Sequence, residues 1–322
     1  MEIDQLEPVQ LGDSTQWIRI RAGNADNPPL LLVQMGPGLP MLNEVRTFER
    51  LLSLEDDFTV IYWDQRAIGR SLRSTGAARG LTLDMMVGDT EQLLARLQER
   101  FGMPALLVGF SMGGMIAARA AAGRPDLVAA LVTVGLDIDG PAAEQNAYEF
   151  ALATAKARRN RRATRQLKAI GPPPHLEGRQ LAGRARWAMN FSGVRGGHTY
   201  NSFARGLLLS LLRSRDYSLG DIVRTFRGMM AAQAALQPEL ATLDLTRTLT
   251  RLGIPIVMVQ GRHDQIAPPS AAERYADLLQ APSKQLVWFE HSAHLPHLEE
   301  PERFRELLVK VRLGLPANPV QA

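Results

Sequence analysis

The chain has 322 residues, 45% of them hydrophobic, with no cysteine and a net charge of +4. That length and apolar share suffice for a full core, and one large domain carrying an insertion is the expected organisation. The missing cysteine excludes disulfides, thiolate nucleophiles and cysteine metal sites; the sequence has no 18-residue apolar run of the kind that spans a membrane, and its acidic start lacks a secretion-signal layout, so a cytoplasmic location is expected.

Residues 7–11 and 15–21 alternate around Gly12-Asp13, the pattern of an antiparallel hairpin. Residues 30–34, after Pro28-Pro29, and 59–63 are apolar runs suited to buried parallel strands, and 43–54 between them carries helical spacing. Residues 83–101 read as an amphipathic helix, with Met86, Leu93, Leu94 and Leu97 on one side and Glu91, Arg96 and Glu99 on the other. A strand over 105–110, a helix over 112–122 and a strand over 129–136 follow. After Asp139-Gly140 the strand-like runs stop. Helices are expected over 142–170, 178–191, 200–213 and 219–236, the last opened by Ser218 with Asp221 three residues on; Gly171-Pro172-Pro173-Pro174 separates the first two. Strands over 254–260 and 285–289 and helices over 269–279 and 301–312 restore the alternation, and the tail 316–322 is expected to be disordered. No internal repeat is visible.

This order predicts an α/β core, residues 1–140 and 236–322, with a mostly parallel sheet covered by helices on both faces and a helical cap, 141–235, inserted after the sixth core strand. Charge separates the two parts. The insertion holds 16 Lys and Arg against 5 Asp and Glu, the remainder 21 against 28.

Gly109-Phe110-Ser111-Met112-Gly113 is a G-x-S-x-G sequence at the join of an expected strand and an expected helix. Such a sharp turn leaves no room for side chains two positions either side of the serine, and it presents the hydroxyl at a helix N-terminus, where N–H groups can stabilise an oxyanion. A serine nucleophile needs a base, and the base an orienting acid. Asp264 follows the strand 254–260 and His294 the strand 285–289, giving the chain order Ser, Asp, His on loops after strands. Ser111 is therefore the expected nucleophile, His294 the general base and then acid, and Asp264 the group that orients the imidazolium. Asp137 and Asp139, also after a strand end, are alternative acids. Of the other histidines, His263 reads as a loop-packing residue, His291 and His297 flank the base, and His175 and His198 read as surface or packing residues. No His and carboxylate set has metal-ligand spacing, and no metal or cofactor is expected.

Gln34-Met35-Gly36-Pro37-Gly38 resembles the His-Gly-Gly-Pro-Gly loop of the proline iminopeptidase-like (family S33-like) branch of the α/β hydrolases. Tyr62-Trp63-Asp64-Gln65-Arg66, continuing to Gly69-Arg70-Ser71, is similar to that branch's Trp-Asp-Gln-Arg-Gly-x-Gly-x-Ser segment. With the elbow and the two later loops, the likeness spans about 7–140 and 236–312. It implies an α/β-hydrolase fold, with the second oxyanion donor mapping to the Gly36 N–H beside that of Met112. Asp64 and Arg66 are expected to form a structural ion pair buttressing the site, and Gln34 to support the loop. Gln34 and Met35 replace the family's His and Gly. Ala67 stands where the family has Gly, so that turn is expected to avoid positive φ. The family's Trp-Glu pairing in the cap is not seen.

Arg158, Arg159, Arg161, Arg162 and Arg165 read first as a solvated helix face, with a field for acidic substrates, an acidic partner or an anionic membrane surface as the functional alternative. Apolar cap residues (Trp187, Met189, Phe191, Phe203, 207–209, Leu211, Leu212, Phe226, Met229 and Met230) are expected mostly to pack on the core and partly to line the pocket over Ser111. The expected activity is hydrolysis of a carboxylic ester or lactone, large and macrocyclic ones included, through an acyl-enzyme. The alternatives are a proline iminopeptidase, a carbon–carbon bond hydrolase or enol-lactonase for anionic substrates, and a non-catalytic receptor on the same fold. The expected partner is a small-molecule ester, lactone or amide, with no nucleic acid and no membrane span, in a monomer or homodimer.

Overall fold

A computed structural model describes residues 1–72, 80–175 and 177–314; the expectation for 316–322 lies outside the described residues. Among the described residues eight strands form one sheet: β1 (Ile3–Leu11), β2 (Ser14–Ala22), β3 (Pro29–Val33), β4 (Thr59–Asp64), β5 (Ala105–Phe110), β6 (Val128–Val134), β7 (Ile256–Gly261) and β8 (Lys284–Phe289). Their order is β1-β2-β4-β3-β5-β6-β7-β8. The β1–β2 hairpin and the β2–β4 pair are antiparallel, and the remaining pairings are parallel. Residues of β3, β4 and β5 are buried along their whole length, because a parallel sheet is covered on both faces. Alternate residues serve alternate faces. Leu30, Leu32, Val60, Tyr62, Leu106 and Val108 enter one apolar cluster, and Leu31, Val33, Ile61 and Leu107 the other.

The helices α1 (Val45–Leu52), α2 (Leu83–Phe101) and α3 (Met112–Gly123) alternate with these strands. Between β6 and β7 come α4 (Gly140–Ala157), α5 (Arg161–Ile170), α6 (Gly178–Asn190), α7 (Tyr200–Arg213), α8 (Leu219–Leu240) and the short α9 (Leu245–Thr248). Then α10 (Pro269–Leu278) precedes β8, and α11 (Pro296–Glu299) and α12 (Pro301–Arg312) follow it. α2, α3 and α10 cover one face of the sheet, α1 and α12 the other. α2 begins where Thr82 accepts from the Met85 N–H and buries Met86, Leu93, Leu94 and Leu97, the apolar stripe of its sequence.

The single helix expected over 142–170 is two. Arg159 turns to φ 51°, and the Asn160 side chain accepts from the Ala163 N–H at 3.0 Å, which opens a new helix. The apolar residues of the insertion also divide differently from expectation. Trp187 and Phe191 stack at 5.6 Å within a cluster of the insertion's own, with Tyr148, Ala151 and Leu167. Leu212, Phe226 and Met230 are exposed. A helical layer thick enough to have its own core does not need the sheet to bury these side chains.

Candidate active site

Ser111 stands between β5 and α3 at φ 51°, ψ −123°. For a residue with a Cβ such a backbone costs on the order of 1–3 kcal/mol and persists only where its surroundings enforce it. Here they do. The Ser111 N–H donates to the Val134 carbonyl at 2.8 Å, and the Gly114 N–H donates to the Ser111 carbonyl at 2.8 Å. A Cβ on Gly109 would come within 2.5 Å of the Gly113 carbonyl oxygen, and one on Gly113 within 2.3 Å of that of Val33. Both glycines are therefore required by close backbone approach, as the G-x-S-x-G spacing predicts.

Asp264 and His294 meet. His294 Nδ1 lies 2.8 Å from Asp264 Oδ2, and both residues are buried. Three further donors fix the carboxylate: the Ile266 and Ala267 N–H groups (2.8 and 2.9 Å) on Oδ1, and Gln260 Nε2 (3.2 Å) on Oδ2 beside His294. The two loops touch so closely that a Cβ on Gly261 would fall 1.8 Å from the Ala293 carbonyl oxygen. The insertion braces both loops. The Gln265 N–H donates to Gly193 O at 3.1 Å and the His294 N–H to Val194 O at 2.9 Å. Sequence carried no signal for these backbone contacts.

Burial disfavours a charged imidazolium, but the charge and hydrogen bond of Asp264 and the charge of Asp137 outweigh it. The pKa of His294 lies above the ordinary histidine value. Asp137 is the residue whose place the sequence did not settle. It does not hold the histidine; it accepts from the Ser111 hydroxyl, at 3.3 Å. Burial pushes its carboxyl up to about 6, against the pull of His294 and the Ser111 bond. Asp139 caps α4 through the Ala142 N–H at 2.9 Å.

Ser111, Gly36 and Pro37 share a cavity of about 260 Å³ with Asp137, Asp139, Glu144, Arg184, Gln233 and Gln237. Gly36 sits against Met112: a Cβ there would lie 2.3 Å from the Met112 Cε. Met112 opens α3, so its N–H has no acceptor in the helix.

A sequence-family profile described as "alpha/beta hydrolase fold" matches residues 28–301. The chain belongs to the α/β hydrolase family. Among curated relatives of this hydrolase, a "Probable aminopeptidase YbaC" of Bacillus subtilis (strain 168) is 28% identical over 305 residues, covering 94% of each chain. A pimeloyl-[acyl-carrier protein] methyl ester esterase of Nitrosomonas europaea is 37% identical over 81 residues, 24% of this chain and 31% of its own. Similar solved structures include a proline iminopeptidase-related protein of Thermus thermophilus (TM-score 0.67, 21% identity, 98% of this chain and 100% of that one). The proline iminopeptidase of Mycobacterium smegmatis is another (TM-score 0.67, 19%, 96% and 98%). At these identities the structural likeness speaks for the fold.

The residues around this hydrolase's elbow depart from the sequence reading in two ways. Asp64 and Arg66 do not pair. Asp64 is buried and accepts from the Met41, Leu42 and Arg70 N–H groups (2.8, 3.1 and 2.7 Å) and the Tyr217 hydroxyl (2.5 Å). Burial still pushes its carboxyl upward. Arg66 instead bonds Asp89 through Nε and Nη2, both at 2.8 Å, and also bonds Asp13. Backbone donors satisfy a buried carboxylate as well as a guanidinium does, which freed Arg66 for the other side of the turn. Ala67, expected to avoid positive φ, adopts φ 60°. It is buried under α8, where a Cβ on Gly228 would meet the Ala67 carbonyl at 3.0 Å. Packing, and not local preference, sets that turn. Gln34 braces the 34–40 loop as expected of a supporting residue, donating to Pro40 O at 3.1 Å and accepting from the Met35 N–H at 2.9 Å. His263 is exposed, whereas His175 is a packing residue bonded to Gly171 O at 3.0 Å. Among the described residues no cluster of His, Asp and Glu could hold a metal ion, and no helix is long and apolar enough to cross a membrane.

Proposed function

We propose that this α/β hydrolase cleaves a carboxylic ester or lactone through an acyl-enzyme, with Ser111 as nucleophile. The observation that carries the reading is the 2.8 Å Asp264–His294 contact on loops beside a serine held in an enforced strained turn. Ser111 Oγ attacks the carbonyl carbon as His294 takes its proton, and the carbonyl electrons move to an oxyanion received by the Gly36 and Met112 N–H groups, each typically worth about 2.7–4 kcal/mol in the transition state. The carbon–oxygen bond to the alcohol breaks as His294 returns the proton to the leaving oxygen. Water, deprotonated by the same histidine, then releases the acid. Residues 141–235 act as the cap that walls this site.

Ester is favoured over peptide because the cavity's carboxylates are mostly occupied: Asp139 caps a helix, and Glu144 lies 3.5 Å from Arg184 and accepts from the His175 N–H and Gln237. A second reading, an aminopeptidase, is favoured by Asp137, whose carboxylate beside Ser111 would pair with a substrate amine. Short p-nitrophenyl esters, a lactone panel and Ala- and Pro-p-nitroanilides separate the two. Hydrolysis of esters or lactones is expected, and turnover of the amine-bearing anilides alone would overturn the ester reading.

A further inference from the structure

A second cavity, of about 360 Å³, is walled in part by residues next in the chain to those that line the one holding Ser111. The same short segments wall both. In the oxyanion loop Gln34 and Met35 face the second cavity and Gly36 and Pro37 the first; in α6 Met189 faces the second and Ala185 and Ala188 the first. Leu295, His297 and Leu298, within four residues after His294, complete the second. Met35, Leu39, Phe48, Leu51, Phe203 and Leu207 give the second space apolar walls.

Two of its polar groups, His297 and Glu44, are uncharged or hydrogen-bonded. His297 is 2% exposed, and its Nδ1 is buried without a hydrogen-bond partner. Burial, with the neighbouring His294 and Arg195 charges, pushes its pKa down to about 3, so the ring stays uncharged. Burial also raises the Glu44 carboxyl, which accepts from Asn43 Nδ2 at 2.5 Å. Within α7, Gly206 borders the cavity, and a Cβ built there meets nothing within 4 Å. A glycine inside a helix weakens it, and no close packing here requires one.

We infer that this cavity binds the apolar alcohol half of the substrate, so that the enzyme cleaves esters of a neutral alkyl or aryl alcohol. This rests on the serine-hydrolase reading, in which the leaving oxygen must lie beside His294, the residue that protonates it. The cavity walled by Leu295 and His297, in the turn that follows His294, is the one placed to receive that group. The uncharged His297 ring does not repel an apolar body.

The test uses acetate esters of methanol, butanol, hexanol and octanol, with direct binding of 1-octanol as a readout independent of catalysis. Wild type should gain up to about four-fold in kcat/KM for each methylene buried. Gly206→Leu, which fills the space from a helix position that favours a larger residue, should flatten the series and weaken 1-octanol binding at least ten-fold. Gly206→Ala, adding one methyl, should keep both, and a thermal melt checks that the variants are folded. Ester turnover with no dependence on alcohol length, or equal 1-octanol binding by wild type and Gly206→Leu, would overturn the inference. Cavity-dependent 1-octanol binding without hydrolysis of any ester would uphold the cavity and refute the ester reading on which the inference rests.

Discussion

Asp137→Asn should make the protein more stable while changing the pH dependence of its activity. The Asp137 carboxyl, held near 6 by burial, is about two units above its ordinary value of 3.8, and each unit corresponds to ~1.36 kcal/mol. A carboxyl whose folded pKa is raised binds protons more tightly in the native state, so wild-type stability falls as pH rises from the ordinary carboxylate value through about 6 and is flat above. Linkage puts the loss at about 1.6 kcal/mol near pH 5 and about 3 kcal/mol near pH 7.5, as upper values. Asparagine is isosteric and has no charge to desolvate, so its stabilising effect should grow between those two pH values. Urea unfolding of both proteins at each pH measures it. The same substitution removes a carboxylate that favours the His294 imidazolium, so the acid limb of kcat/KM should move to lower pH. A destabilised variant at both pH values, or a stability difference independent of pH, would refute the electrostatic assignment of Asp137.

Three further outcomes are expected. Asp264→Asn removes the charge that orients His294 and should reduce kcat by about 10⁴-fold with the fold intact, measured by ester turnover and circular dichroism. Gly261→Ala places a methyl 1.8 Å from the Ala293 carbonyl oxygen and should cost about 1–3 kcal/mol in urea unfolding, with a parallel loss of activity as the acid and base loops separate. Ala67→Gly relieves a left-handed backbone that costs an alanine about 1–2 kcal/mol and should leave stability unchanged or raised, against the usual direction of such a change; a clear loss would contradict the packing account of that turn.

The core elements were legible because their cause is local. A parallel strand buried on both faces reads as a continuous apolar run, and a surface helix as a 3.6-residue stripe, so β5, α2, α7 and α12 match their expected bounds and the α/β-hydrolase order follows from them. The elbow was legible for a steric reason, since Gly109 and Gly113 leave no room for a Cβ. What escaped depends on contacts between distant segments. Most of the Asp64 and Arg66 partners come from residues 22 to 153 positions away, and the Gly193 and Val194 carbonyls that brace both site loops are backbone groups of any sequence. Asp137 was visible as a carboxylate after a strand; only geometry decides that it faces Ser111 and not the histidine ring nitrogen held by Asp264. The second cavity was hidden for the same reason, because neighbouring residues of one loop line different spaces.

The most direct test is covalent labelling with a fluorophosphonate, with the modified residue located by peptide mass spectrometry. A single adduct on Ser111 is expected, abolished by Ser111→Ala and strongly slowed by His294→Ala. Failure of the wild-type protein to react where a control serine hydrolase does, or an adduct elsewhere that survives Ser111→Ala, would contradict Ser111 as the nucleophile.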